Sequence, residues 1–80
     1  MPVVLRKEGF RFFFYSNEGD PREPPHIHAR QGDDEAKFWL TPTVSLAYND
    51  GLTAKALNKV QKLVELHRSE LERAWNDYFA

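Results

Sequence analysis

The residues best suited to chemistry lie in the stretch Pro24-Pro25-His26-Ile27-His28-Ala29-Arg30, and a third histidine, His67, comes much later. In an extended chain alternate residues share a side, so His26 and His28 project together, about 6 to 7 Å apart along the strand. Neutral imidazole is a common ligand for zinc, copper or nickel, and that spacing can bring two rings to one ion. The metal candidates are therefore His26, His28 and His67. A pair of imidazoles can also act as general base and general acid in phosphodiester cleavage, with an arginine meeting the phosphate. For that chemistry the catalytic candidates are His26, His28 and Arg30, with Arg11 as a second source of charge.

Neither use is complete in the sequence. A firm metal site needs a third ligand, and Glu35 shares the histidine face but sits near the far end of its hairpin. There is no cysteine, hence no thiolate for zinc or for nucleophilic attack. The chain also lacks an acidic cluster for two-metal catalysis, a glycine-rich phosphate loop and a nucleophile elbow. The expectation is no cofactor, no stoichiometric metal, and an activity that leans away from catalysis. A His-dependent nuclease or metal hydrolase is the alternative.

The elements that must position these side chains follow from patterning. Eighty residues, 41% hydrophobic and 14% aromatic, suit one small globular domain near the lower limit for a self-sufficient core. Asn49-Asp50-Gly51 is a strong turn signal that divides strands (1–48) from helix (52–79). Val3 to Lys7 and Phe10 to Ser16 read as a hairpin around Glu8-Gly9, pairing Leu5 with Phe12 and Val3 with Phe14. This register sets Arg6 against Arg11, a like-charge pair. His26 to Gln31 and Asp34 to Leu40 form a second hairpin around Gly32-Asp33. Its register places Ile27 opposite Phe38 and Ala29 opposite Ala36 on one face, and His26 opposite Trp39, His28 opposite Lys37 and Arg30 opposite Glu35 on the other. Val44 to Tyr48 reads as a short last strand, and Asn17 to Pro25 as an exposed loop.

From the N-cap Thr53 onward the period becomes helical, with Leu57, Val60, Val64, His67, Leu71, Trp75 and Tyr78 on one face. A single helix over 53–78 would be roughly 39 Å long, against about 20 Å for a six-residue strand. A break near His67 to Ser69 is expected, with Ser69 and Glu72 forming a capping box for a second helix. The predicted fold is α+β: a two-layer, antiparallel meander of four to five strands packed on one face by the helical segment. His67 then points at the sheet, while His26 and His28 face away from the helices.

One helical layer covers one sheet face. Val4, Phe13, Tyr15, His26 and Trp39 are left together on the other, and exposed apolar surface of this kind marks an interface. Phe13, Tyr15, His26 and Trp39 are accordingly the partner-binding candidates, for a cognate protein or a homodimer. The competing possibility is that the loop Asn17 to Pro25 or the last helix folds over this face. A net charge of −1 gives no bulk pull toward nucleic acid, which is expected only through the partner or a weak surface. No leader-like start and no apolar run near 18 residues point to a membrane or to export, so a cytoplasmic, bacterial-type protein is expected.

Taken together, Met1-Pro2, Pro24-Pro25-His26-x-His28-Ala29, Gly32, Glu35-Ala36 and Glu65-Leu66-His67-Arg68-x-Glu70-Leu71-x-x-x-Trp75-Asn76 are characteristic. The chain resembles the bacterial "domain of unknown function 4160" family over nearly its whole length. The resemblance implies a small stand-alone protein, often encoded beside a second small domain and commonly described as a toxin–antitoxin component. It implies no reaction. The connection Asn17 to Pro25 is longer here than the short Asn-Pro-Pro type of that family.

Overall fold

The first turn is built on two consecutive positive φ angles, 51° at Glu8 and 85° at Gly9. That is the geometry of a two-residue hairpin loop whose twist matches its strands. It joins β1 (Val3–Lys7) to β2 (Phe10–Phe13). The computed structural model describes residues 3–18 and 22–80; Met1, Pro2 and residues 19–21 of the proline-rich connection lie outside the described residues. A 3-10 turn over Ser16–Glu18 leads toward β3 (His26–Gln31), which is followed by β4 (Asp34–Trp39) and β5 (Ser45–Asp50). The five strands pair in sequence order, all antiparallel, as an open meander.

The second hairpin has the expected register throughout, from His26 opposite Trp39 to Arg30 opposite Glu35. In the first hairpin Leu5 does pair with Phe12 and Arg6 with Arg11. An irregularity between Val3 and Leu5, however, shifts Val3 onto Phe13 rather than Phe14. Phe14 is thereby released from the ladder into the core, where its ring meets Trp75, Tyr78 and Phe79 at 5.1 to 5.4 Å. The last strand runs two residues beyond the expected Tyr48, and it too carries an irregularity, opposite Lys37 and Phe38.

Helix α1 (Ala54–Leu66) begins at Thr53, whose hydroxyl accepts from the Ala56 N–H at 3.1 Å. The chain breaks at His67 and resumes as α2 (Arg68–Phe79). The break falls where the length argument places it, but Ser69 and Glu72 are not its cap. His67 occupies the cap position, and its imidazole lies 3.2 Å from Glu70. Arg68 fixes the start of α2 to the sheet by donating to the carbonyls of Leu40 at 2.8 Å and Pro42 at 3.0 Å. Val60, Leu63 and Val64 of α1 and Leu71 and Trp75 of α2 complete a core with Phe10, Phe12, Ile27, Phe38 and Leu40. The result is the α+β two-layer fold expected from the sequence. Among the described residues no helix is long and apolar enough to cross a membrane.

Candidate functional site

Strand alternation sends Ile27 and Ala29 into the core and His26 and His28 to the opposite face. That face is closed. After Tyr15 the chain turns, held by the Glu18 N–H to the Tyr15 carbonyl at 3.1 Å. The Glu18 carboxylate answers by accepting from the Tyr15 N–H through Oε1 at 2.8 Å. Its other oxygen, Oε2, is aimed at the histidines and lies 2.8 Å from Nε2 of each. The two rings stand nearly perpendicular, with centroids 5.2 Å apart.

The outer nitrogens have partners of their own. His26 Nδ1 donates to the Pro24 carbonyl at 3.0 Å, a contact made available because the prolines hold that segment extended. His28 Nδ1 lies 3.2 Å from the Tyr48 hydroxyl and 3.3 Å from Glu35 Oε2. Tyr48 donates to that same Glu35 oxygen at 2.7 Å, and Tyr15 donates to Glu35 Oε1 at 3.1 Å. Aromatic rings wall the site: Phe13 stacks on His28 at 5.4 Å, while Trp39 and Trp75 meet His26 at 5.5 and 4.5 Å.

Electrostatics follow from this enclosure. Burial alone would raise the Glu18 pKa, but the adjoining His28 and His26 imidazoles and the hydrogen bond from the Tyr15 N–H outweigh it, leaving the carboxyl below its ordinary value. Burial holds the His28 imidazole below its ordinary value against the opposing pull of Glu18. Burial, followed by the Glu35 carboxylate, raises both tyrosines, Tyr15 and Tyr48.

Several expectations change here. The face bearing the partner-binding candidates is not an open surface: Phe13 and His26 are fully buried, and Tyr15 and Trp39 are half-buried. The 3-10 turn brings Glu18 over the histidines, Glu23 reaches Lys37 at 3.1 Å, and α2 lays Trp75 against His26. The loop and the last helix therefore share the covering. His26 and His28 do leave the sheet on the side away from the core, yet His26 is not remote from the helices. Both histidines are buried, and Arg30 is turned aside toward the Gly32 carbonyl at 2.9 Å. His67 stays apart from the pair at the helix junction.

Among the described residues, Glu18, His26 and His28 form a group of potential metal ligands whose ligand atoms all lie within 4.8 Å of one another. The sequence pattern signals the histidines but not Glu18, which sits in an aperiodic, polar, proline-rich stretch that reads as solvent-exposed. No sequence signal points to it, because the histidine burial that calls for a compensating acid is itself not marked in the pattern. The family model described as "Domain of unknown function (DUF4160)" matches residues 9–76. The chain belongs to this family. No curated protein and no solved structure matches it. The matched span contains Glu18, both strand histidines, Glu35, Tyr48 and Trp75.

Proposed function

We propose that this protein is a small association module that binds a cognate protein partner through the edge strand β5, as one member of a toxin–antitoxin pair in the bacterial cytoplasm. The observation that carries the reading is the exposure of that edge. Five of the six residues Ser45–Asp50 are exposed, including Leu46 and Tyr48 at 44% and 41%. An unpaired edge offers a row of backbone donors and acceptors to an added strand.

Charge favours a partner over a second copy. The cross-strand pairs line up Arg6, Arg11, Arg30, Glu35 and Asp50 in one row across the sheet. The β5 end of that row is acidic, and β5 itself carries no cation. A closed, two-fold pairing of β5 with its own copy leaves Asp50 without a counter-charge, and pairing β5 to another copy's β1 does not close. A partner strand bearing a basic residue satisfies it. The toxin–antitoxin role rests on the family resemblance. The test is co-purification with the product of the adjacent reading frame. A defined complex that weakens at least tenfold in Leu46→Asp, at unchanged melting temperature, supports the reading. No complex, or one indifferent to that change, overturns it.

A second reading, a metal-dependent hydrolase, is favoured by the convergence of Glu18, His26 and His28. Among the described residues, depressions of about 330 and 280 Å³ lie along the Glu8-Gly9 turn and between Phe10 and the start of α1, and neither is lined by these three residues.

A further inference from the structure

We propose that Glu18, His26 and His28 bind one divalent first-row transition-metal ion, with zinc or iron(II) the best chemical match. The inference does not depend on the association reading.

The first argument is what each ring nitrogen faces. A carbonyl oxygen only accepts, so the 3.0 Å contact to Pro24 places the proton of neutral His26 on Nδ1. Its Nε2 is then a bare lone pair, and it lies 2.8 Å from a carboxylate oxygen. Fully buried, it makes no hydrogen bond there. His28 Nε2 lies within hydrogen-bonding distance of the same Glu18 oxygen, 2.8 Å, and the partners of its Nδ1 decide which ring nitrogen carries the proton. Tyr48 gives its proton to Glu35 at 2.7 Å, leaving hydroxyl and carboxylate oxygens to receive His28 Nδ1–H. These tautomers are assigned from their partners. Two lone pairs thus converge on one carboxylate oxygen, an assembly that calls for a cation at its centre.

A single proton satisfies only one of the two contacts, whereas a metal ion satisfies both. Bonds of about 2.0 to 2.2 Å in tetrahedral coordination separate neighbouring ligand atoms by about 3.3 to 3.5 Å. The two 2.8 Å contacts reach this by parting about half an ångström, within the range of small side-chain rotations. Ligating histidines ordinarily donate their other N–H to a backbone carbonyl or a carboxylate, the two partners present here. Two imidazoles and a carboxylate without thiolate suit zinc, iron(II), cobalt or nickel, and leave a fourth position for water. Phe13, Trp39 and Trp75 supply the dry wall around it.

The experiment is titration of the EDTA-treated, dialysed full chain with Co²⁺ followed by visible absorption, and with Zn²⁺ by calorimetry. One equivalent should bind with a Kd of about 1 µM or tighter, giving ligand-field bands of nitrogen–oxygen coordination. His28→Ala and Glu18→Ala should lose this at least tenfold, and His67→Ala should keep it. Because the first two variants could fail to fold, the wild-type chain is also followed by ¹⁵N NMR. There the Nε2 resonances of His26 and His28 should move on Zn²⁺ addition while those of His67 stay. No uptake by the folded wild-type chain, uptake lost only in His67→Ala, or unmoved Nε2 resonances would each overturn the proposal.

Discussion

At the scale of single residues, Glu18 determines whether the histidine face is stable. Removing it leaves the Tyr15 N–H without its 2.8 Å acceptor inside the turn, a loss of about 1 to 3 kcal/mol. Glu18→Ala should lower the denaturant midpoint of the metal-free chain accordingly, and an unchanged midpoint would show that the carboxylate is dispensable. Acid should act on the same groups. His28 and Glu18 both bind protons less readily when folded than their ordinary values of 6.5 and 4.5 imply. The unfolded chain therefore takes up more protons, and stability falls with pH. In EDTA the urea midpoint should be flat from about pH 7 to 9, decline below about 6.5 as His28 contributes, and decline again below about 4.5 with Glu18. A midpoint that rises on acidification would contradict this. Glu18 was not legible in the sequence because no periodic pattern marks a side chain delivered by a turn. The histidine pair was legible, but not its burial.

Among the elements, legibility followed the strength of local constraint. The β3–β4 hairpin could be placed residue by residue, since Ile27–Phe38 and Ala29–Ala36 allow only one register that buries every apolar side chain. The β1–β2 hairpin has apolar residues on both faces, so nothing in its pattern marks the slip at Val3 that frees Phe14. The helix break was legible from length. Leu66, the last residue of α1, is 75% exposed, and the break brings α2 across the start of β3. Trp75 closes that contact and is fully buried between Phe14 and His26. Trp75→Ala should cost about 3 to 5 kcal/mol, enough to unfold a domain of ordinary stability. Trp39, half-buried with Lys37 over its ring at 4.4 Å, should tolerate the same change with a modest fall in melting temperature. Comparable losses in the two variants would refute this division of the aromatic wall. A turn offers a sharper comparison. Gly32 and Gly51 both have positive φ, 61° and 102°, but a Cβ at Gly51 meets the Asp34 carboxylate while one at Gly32 meets open space. Gly51→Ala should therefore destabilise more than Gly32→Ala, for which about 1 kcal/mol is expected.

Over the whole molecule, the sheet is polarised along its strand order. Arg6, Arg11 and Arg30 occupy one half of a cross-strand row, and Glu35 and Asp50 the other, with a near-neutral net charge concealing the division. Three like-charge neighbours in that row, Arg6–Arg11, Arg11–Arg30 and Glu35–Asp50, are mildly unfavourable for the isolated domain. Reversing Asp50 removes the last of them, so Asp50→Lys should leave the melting temperature unchanged or slightly raised. For association through β5 the effect runs the other way, because the acidic end of the row is what steers a basic partner strand into place. The association rate with the cognate partner should fall about tenfold in Asp50→Lys at low ionic strength, and the difference should shrink toward high salt as the Debye length drops to about 3 Å. Stopped-flow association at several salt concentrations, paired with thermal melting, separates the two effects. A variant that melts lower while associating at the wild-type rate would mean that Asp50 serves the fold, and that the partner docks elsewhere.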